Sequence, residues 1–487
     1  MKTRSLGTNA ALNVIKQACA IIFPLISFTY SSHILGADQI GVYNYGKSIV
    51  SYFTLIAGLG ISNYALREGA YVRDDKKKIS LFIDQIFSIN IVSTLISFFL
   101  LSILLVFNQS LGPYQTVILI QSISIILITA GADWINTIFE DYYYLAVRYV
   151  LIQIISFLAL VLFVRRPEDL YIYAIISMLS SSGGNILNIF YLRRRGLAPR
   201  FTFNMDVKRH LKPLLILFGN SVASVIYLNS DITMLGAIRT DGEVGIYYAA
   251  SNIYSLVKSL INAIVMVTVP RFSYWISNNK INEYTSKVNS ILNALIFLAF
   301  PAVTGIILEA TNVLVVLSGA EYASGSQSLI ILAFALIPAI GGCLYSYSIL
   351  IPNKKEDIFL IATSTAATTN IILNFIFIPL WGIMGAAFTT LIAEIIVFSI
   401  TLLSGVKIIR TKPEFYNVLS SLAGCVGIVS VCVFVHRRVE SEVLELFISV
   451  IGSILIYAII EILLRNPIVL SGVKTLKHKI SKNTEDR

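Results

Sequence analysis

The chain has 487 residues, of which 56% are hydrophobic and only 13% are charged, and its mean hydropathy is +0.78. Because soluble domains carry about 25% charged residues, there are too few polar side chains to coat a cytosolic or secreted globular protein of this length. The net charge of +10, from 37 basic and 27 acidic residues, indicates basic cytoplasmic loops of a membrane protein, and we expect no nucleic-acid partner.

Apolar runs long enough to cross a bilayer follow one another along the chain. A transmembrane helix needs about 20 largely apolar residues, whereas the strands of a β-barrel give short alternating patterns. Lys2 and Arg4 precede the first run as in a signal peptide, but the run continues past Pro24 without a clear cleavage site, which predicts a retained first span. We therefore predict an all-α integral membrane protein with about fourteen transmembrane helices. The predicted spans are 10–32, 44–65, 83–107, 114–135, 143–164, 171–192, 213–236, 246–268, 288–308, 327–351, 359–379, 384–404, 417–436 and 444–464.

The basic residues of the loops predict the orientation of these spans. With the N-terminus inside, the cytoplasmic segments hold 29 Lys and Arg residues and the outer loops hold five. Because cytoplasmic loops carry the excess of Lys and Arg, both termini are expected on the cytoplasmic side of the membrane.

The most basic inner loop, at 193–212, divides the chain after the sixth predicted span. We expect an N-terminal lobe over 1–204, a C-terminal lobe over 205–412, and two extra helices with a cytoplasmic tail over 413–487. Two six-helix lobes around a central cavity are one way in which transporters are built.

A short internal repeat supports two related lobes. L-G-A at 35–37 is followed by G-V-Y at 41–43, and L-G-A at 235–237 is followed by G-I-Y at 245–247. Each pair of motifs ends one predicted span and opens the next, so that the second span corresponds to the eighth. Parallel repeats of this kind place the substrate site between the lobes.

Two other patterns indicate structure rather than chemistry. Residues 41–48 match the phosphate-binding pattern G-x-x-x-x-G-K-S, but a nucleotide loop needs a preceding buried strand, and here a membrane span precedes it. We therefore expect no ATP site and no bound cofactor. The cysteines form no C-x-x-C pair, so that neither a disulfide framework nor a metal site is indicated; they are Cys19, Cys343, Cys425 and Cys432.

Ionisable side chains within the spans mark the candidate site, because a charge at the bilayer centre costs about 2.5–3.5 kcal/mol and usually faces a cavity. Lys258 is the clearest example, since it lies about twelve residues into its span, roughly 18 Å deep, on one face with Ser251, Ser255 and Asn262. Polar stripes with the same spacing occur in predicted spans 1, 2 and 7. Together they predict a hydrated cavity, with Lys16, Lys47, Arg67, Arg148, Lys258 and Arg271 as anion-binding candidates and Asp231, Glu394, Asn220 and Asn262 as polar or ion-coupling candidates.

Each candidate also has a purely structural interpretation. Lys16 can extend to the inner surface and Lys47 can lie in the outer interface, whereas Arg67, Arg148 and Arg271 satisfy the positive-inside rule without any further role. Asp231 can pair with Arg239 or Lys258, and Lys258 can belong to a structural ion pair. Asp133, Glu140 and Arg148 can form a charged network with one another. Glu394 lies well inside its predicted span, so that its side chain has to face protein or water.

Several stretches resemble the Wzx-type polysaccharide repeat-unit flippases of the multidrug/oligosaccharidyl-lipid/polysaccharide exporter superfamily. They are L-G-A-D-Q-I-G-V-Y at 35–43, G-L-G-I-S-N-Y-A-L-R-E at 58–68, D-W-I-N-T-I-F-E at 133–140, D-I-T-M-L-G at 231–236, V-G-I-Y-Y-A-A at 244–250 and N-I-I-L-N-F-I-F-I-P-L-W-G-I-M-G-A-A at 370–387. The resemblance implies a two-lobed, fourteen-helix protein that is not an enzyme. It also implies that Lys16, Arg67, Lys258 and Arg271 contact a pyrophosphate.

The resemblance implies transport of undecaprenyl-pyrophosphate-linked oligosaccharides from the inner to the outer leaflet of a bacterial inner membrane by alternating access, for surface polysaccharide such as O-antigen or capsule. Its expected partners are the polyprenyl-linked oligosaccharide, membrane lipids and the polysaccharide polymerase machinery. Coupling to a proton gradient, a sodium gradient or the membrane potential is open, as are two alternative functions: a multidrug efflux pump of the same superfamily and a peptidoglycan-precursor flippase.

Overall fold

The computed structural model describes the backbone of residues 6–469 and the side chains of residues 19–469, apart from that of residue 220. This part of the chain is helical and contains no β-strand. Thirteen helical segments in it are long and apolar enough to cross a membrane. The predicted all-α, multi-pass membrane fold is confirmed.

The α-helices have the following bounds. They are α1 Leu6–Gly58, α2 Ile61–Val72, α3 Lys76–Phe107, α4 Gln115–Gly131, α5 Asp133–Ile138, α6 Tyr142–Phe163, α7 Leu170–Met178, α8 Gly184–Arg194, α9 Val207–Ile238, α10 Asp241–Met266, α11 Val269–Ser277, α12 Ile281–Ser318, α13 Ser326–Cys343, α14 Glu356–Trp381, α15 Ile383–Gly405, α16 Phe415–His436 and α17 Glu442–Leu463. Short π-helical segments, Leu179–Gly183 and Leu344–Leu350, join α7 to α8 and extend α13.

The first helix contains two of the predicted spans. Its 53 residues would extend about 80 Å at 1.5 Å per residue, more than twice the hydrocarbon thickness. Gly36 breaks it, with a φ of 77° and a ψ of 171°, a conformation that glycine adopts without the steric penalty of a Cβ. The predicted spans 10–32 and 44–65 lie on either side of this break, which is why thirteen helical segments correspond to fourteen predicted spans.

The two L-G-A repeats meet through their glycines. A Cβ at Gly41 would lie 1.8 Å from the carbonyl oxygen of Asp241, and a Cβ at Gly245 would lie 2.0 Å from the carbonyl oxygen of Ala37. The contact is reciprocal, because each repeat supplies one glycine and one carbonyl. Only a residue without a Cβ permits this backbone approach.

The segment that matches the phosphate-loop pattern is part of α1. Residues 41–48 are continuous helix, and a Cβ at Gly46 would lie 3.0 Å from a methyl group of Val117 in α4. Gly46 therefore serves close helix packing. The geometry of a phosphate-cradling loop, which follows a strand and precedes a helix, is not formed by these residues.

The chain divides into two compact units, Met1–Gly245 and Ile246–Arg487. In the first unit, buried side chains of α2, α3, α5, α8 and α9 form one apolar cluster around Ile86 and Ile135. In the second unit, α16 and α17 pack on each other and on α12, with Ile428 and Tyr457 at the centre of the contact. The lobe boundaries at 204 and 412 stay a prediction.

Polar side chains are buried in both units while large apolar side chains lie on their surfaces. Phe107 and Leu463, for example, are 82% and 73% exposed. Exposed apolar surface on this scale marks contact with lipid or with other apolar partners. The four cysteines are free thiols, and three of them are buried in the helix packing.

Candidate functional site

Lys258 in α10 forms an ion pair with Glu394 in α15. The lysine Nζ donates to Oε1 of Glu394, and the hydroxyl of Tyr254 donates to the same oxygen at 2.7 Å. The ammonium also lies 5.5 Å from the centroid of the Tyr254 ring. The structure thus brings together a predicted anion-binding residue and a predicted coupling residue.

The two partners differ in exposure. The side chain of Glu394 is 4% exposed and that of Lys258 is 24% exposed, so that the carboxylate is enclosed while part of the lysine reaches open space. A buried carboxylate is stable only when it is paired and hydrogen-bonded, and here one lysine and one tyrosine supply both. Lys258 neutralises Glu394, and a second anion that reaches the lysine must compete with this carboxylate.

Arg148 in α6 binds Asp133 in α5 through a two-pronged contact. Its Nη1 donates to Oδ1 of Asp133 at 2.9 Å, and its Nη2 donates to Oδ2. The guanidinium is 5.4 Å from the ring centroid of Tyr144, and the residue is only 8% exposed. A planar guanidinium is suited to such a fork, and the fork fixes α6 against α5.

The predicted network around Arg148 is only partly correct. Glu140 binds Arg73 instead, with 2.6 Å between its Oε1 and Nη1 of the arginine, and this hydrogen bond raises the pKa of Arg73. The neighbouring Asp141 binds Arg195 at 2.6 Å. The charges therefore form separate pairs, because Arg73 and Arg195 are brought to the same loop by helices distant in sequence.

Three other basic candidates are exposed and have local partners. Nζ of Lys47 lies 5.6 Å from the centroid of the Tyr43 ring, and the guanidinium of Arg271 lies 4.7 Å from that of Trp275. Nε of Arg67 lies 3.1 Å from Oε1 of Glu68, its neighbour in sequence. Each contact leaves the cation at a surface.

The remaining candidates differ in what surrounds them. Asp231 in α9 is 8% exposed. Oδ1 of Asn262 in α10 is buried, and no described residue forms a hydrogen bond with it. Lys16 and Asn220 lie in helices, but their side chains are outside the described residues. Predicted site residues thus occur in both units. Within the second unit, Lys258 and Glu394 are in direct contact.

Sequence reasoning missed Tyr254 and a buried polar network in α14 and α15. Tyr254 precedes Lys258 by four residues, one helical turn, so that the i, i+4 spacing was the available signal. In the network, Nδ2 of Asn374 donates to Oδ1 of Asn370 at 3.1 Å, and the hydroxyl of Thr389 donates to Oδ1 of Asn374 at 2.5 Å. These amides belong to the N-I-I-L-N motif, but uncharged side chains gave no sign of their burial.

A model of the family described as polysaccharide biosynthesis protein matches residues 6–275, more than half of the chain. The chain belongs to this family. The matched part includes the L-G-A repeats and Lys258, and the predicted resemblance to Wzx-type flippases of the multidrug/oligosaccharidyl-lipid/polysaccharide exporter superfamily is confirmed.

Curated relatives of this family member carry the names of transporters and flippases. It is 22% identical over 402 residues to the "Putative O-antigen transporter" of Escherichia coli (strain K12), an alignment that covers 82% of this chain and 96% of the relative. It is 27% identical over 171 residues to the "Probable low-salt glycan biosynthesis flippase Agl15" of Haloferax volcanii. This second match covers 35% of the chain and spans only 36% of the archaeal protein.

Solved structures share the fold of this family member. The lipid II flippase MurJ in an inward closed conformation superposes with a TM-score of 0.76 at 20% identity, over 93% of this chain and 98% of the other. A multidrug resistance MATE family transporter of the MOP superfamily, in an inward-facing conformation, superposes with a TM-score of 0.61 at 15% identity, over 81% and 97% of the two chains. At these identities the likeness is one of fold.

Proposed function

We propose that this protein is a flippase that moves undecaprenyl-pyrophosphate-linked oligosaccharide repeat units from the inner to the outer leaflet of a bacterial inner membrane. The proposal rests on the family, on the full-length relative named as an O-antigen transporter, and above all on one ion pair inside the spans. That pair is Lys258 with Glu394, a cation that is held within the membrane-spanning part of the chain and is partly open to a ligand.

The chemistry of the substrate explains why such a cation is needed. A pyrophosphate-linked sugar head would lose its hydration in hydrocarbon, at a cost of many kcal/mol. The polyprenyl tail of the substrate is apolar and stays dissolved in the lipid. Basic side chains along a hydrated path replace the lost water, and Lys258, Arg67, Arg148 and Arg271 are our candidates, with Lys16 and Lys47 as further ones. Alternating access then moves the head while the tail stays in the bilayer.

The ion pair suggests how binding and release are coupled. When a pyrophosphate approaches Lys258, it competes with Glu394, and the released carboxylate needs a proton or another cation to stay buried. Glu394 is therefore our first candidate for ion coupling. Asp231, a second buried carboxylate within the spans, is the other candidate. An inside-negative potential also favours outward movement of the head by about 2.3 kcal/mol per charge per 100 mV.

Drug-exporting and lipid-flipping proteins share this fold, so that the polar side chains have to distinguish them. Export of small cations needs carboxylates that are open to the substrate, whereas Glu394 is enclosed and neutralised by Lys258. This favours an anionic substrate over a multidrug role. The distinction from a peptidoglycan-precursor flippase concerns the sugar head alone, and lipid analysis of a deletion strain separates the two.

The test follows lipid-linked repeat units in a strain that lacks the gene and is complemented with variants. Lys258→Ala is expected to reduce arrival of the sugar head at the outer leaflet at least tenfold at normal protein level, because its loss leaves a buried carboxylate where a cation was. Lys258→Arg is expected to retain part of the activity, since it keeps the charge.

The matched control is Lys355→Ala, which removes a lysine from an exposed loop and is expected to behave as wild type. Normal arrival of the sugar head in the deletion strain would reject the flippase proposal. Normal arrival in Lys258→Ala alone would reject the role of Lys258. Accumulation of peptidoglycan precursors instead of repeat units in the deletion strain would show that the substrate is the peptidoglycan precursor.

A further inference from the structure

A carboxylate that belongs to none of the groups considered above is completely enclosed at one end of the α16–α17 pair. Glu461 lies in the last turn of α17 and has no exposed surface. Neither Oε1 nor Oε2 has a hydrogen-bond partner among the residues that the structure describes. Among the side chains that the structure describes, no Lys, Arg or His forms an ion pair with it.

The described neighbours of Glu461 form no hydrogen bond with its carboxylate oxygens. Gly424 of α16 is so close that a Cβ there would lie 3.5 Å from Oε1 of Glu461. The ring of Tyr457, one turn earlier in α17, lies against the same glycine, but its single hydroxyl proton is donated at 2.8 Å to the carbonyl oxygen of Phe297 in α12. Tyr457 therefore closes the space, and its hydroxyl proton is directed to Phe297 rather than to Glu461.

A second unpartnered oxygen belongs to the same place. Ser421 lies one turn before Gly424 on α16 and has no exposed surface. Within the described part of the chain, its Oγ has no hydrogen-bond partner. The phenol of Tyr457 faces both Ser421 and Glu461. A fully buried hydroxyl and a fully buried carboxylate thus border the same tyrosine, and neither has a hydrogen-bond partner among the described residues.

Electrostatics at this end of α17 favours a cation. An unpaired carboxylate in a dry interior costs several kcal/mol, and here it also stands at the C-terminal end of a helix, where the macrodipole disfavours anions and favours cations. Carboxylate and hydroxyl oxygens are the ligands that small hard cations prefer. One carboxylate balances one positive charge, which points to a monovalent ion.

We propose that Glu461 and Ser421 form a binding site for a monovalent cation, with Na⁺ as the ion of suitable size and hardness. The bound ion neutralises Glu461 and joins α16 to α17, so that the packing of this helix pair on α12 depends on the ion. The site shares no residue with the Lys258–Glu394 pair, and its existence does not depend on the proposed transport function.

The test uses the purified full-length protein in nanodiscs, with Na⁺ exchanged for choline at constant ionic strength. Equilibrium binding of radioactive Na⁺ is expected to fall by one ion per chain in Glu461→Gln. The thermal midpoint of the wild type is expected to rise with Na⁺ concentration as mass action requires, and that rise is expected to be smaller or absent in Glu461→Gln.

Glu440→Gln is the matched control, since this glutamate is exposed in the loop before α17 and its loss is expected to leave Na⁺ binding unchanged. Ser421→Ala removes a hydroxyl without a partner, so that the fold should tolerate it, and it is expected to weaken Na⁺ binding several-fold. If Glu461→Gln does not fold, Na⁺ binding by Ser421→Ala tests the proposed site.

Equal Na⁺ binding and equal Na⁺-dependent stabilisation in the wild type, Glu461→Gln and Ser421→Ala would overturn the proposal. Glu461 would then be a buried acid that carries only a proton. Loss of the ion in Glu461→Gln alone would support the carboxylate and remove Ser421 from the site.

Discussion

At the scale of single residues, the informative charges are those that the fold pairs between different helices. Lys258 and Glu394 are 136 residues apart, and Arg148 and Asp133 are 15 apart. In each pair one member is almost fully buried. Removing one partner of a buried pair leaves an uncompensated charge, which costs more than the pair itself contributes.

This asymmetry predicts the outcome of a double-mutant cycle on the pair in the second unit. Glu394→Gln and Lys258→Ala are each expected to lower the free energy of unfolding, by about 2 kcal/mol, less than the 3–5 kcal/mol typical of fully buried pairs, because the lysine is partly exposed. The double variant is expected to be more stable than the Lys258→Ala variant, since it leaves no unpaired carboxylate. The measurement is thermal and denaturant unfolding of the purified protein.

The same cycle separates stability from transport. The double variant is expected to recover stability while substrate export stays low, because the cation is still missing. A double variant that recovers export as well would contradict a role of Lys258 in substrate binding. Strictly additive effects on stability would contradict the ion pair itself.

At the scale of helices, glycines determine how closely the elements approach. Gly36 ends the first half of α1, and Gly41 and Gly245 each face a backbone carbonyl of the other repeat. Backbone atoms cannot move aside as side chains do, so that a methyl group at these positions has to displace a helix. The shared pattern of the two motifs within this one chain follows from that contact.

The contact predicts strong effects of small substitutions. Gly41→Ala and Gly245→Ala are each expected to destabilise the protein by about 3 kcal/mol or more, the scale of severe overpacking, because the Cβ would lie 1.8–2.0 Å from a carbonyl oxygen. Yield and thermal midpoint after purification measure the loss.

Gly305→Ala is the matched control. Gly305 lies inside α12, and no atom of a neighbouring group lies within 4 Å of the position that a Cβ would take there. Alanine is favoured over glycine in a helix by about 1 kcal/mol, so that this variant is expected to be as stable as the wild type or slightly more stable. Equal behaviour of Gly41→Ala and Gly305→Ala would contradict the close backbone approach.

At the scale of the whole molecule, the fold places many apolar side chains on the surface and polar ones inside. This distribution is that of a protein dissolved in lipid, where every backbone polar group has to be satisfied within helices. The basic loops then indicate the orientation that we propose, with both termini in the cytoplasm.

That orientation predicts the labelling of single cysteines in a cysteine-free background. Lys355→Cys, in a loop that we place inside, is expected to resist a membrane-impermeant maleimide applied to intact cells. Ser324→Cys, in the connection between α12 and α13 that we place outside, is expected to react. Permeabilised cells provide the control for reactivity, and labelling of position 355 in intact cells would contradict the proposed orientation.

Much of the fold was predictable because hydropathy is a local, additive property of the sequence. The helices α12 to α17, together with the π-helical extension of α13, contain the predicted spans of the second half of the chain to within one residue at their ends. Prolines at 24, 301 and 338 lie inside helices. The first two spans were harder to delimit, since Gly36 breaks α1 while the residues on both sides of it stay helical. The candidate site was predicted as a set of residue types, while the partners of those residues were not.

The sequence by itself determined that this is a membrane protein, that its fold is all-α and to which family it belongs. Each of these follows from composition and short motifs. Only the tertiary structure decided that Lys258 pairs with Glu394, that Glu140 pairs with Arg73, and that Glu461 is enclosed without a hydrogen-bond partner among the described residues. The physical reason is that burial and ion pairing depend on which helices pack against each other, and the hydropathy of a helix does not specify its packing partners.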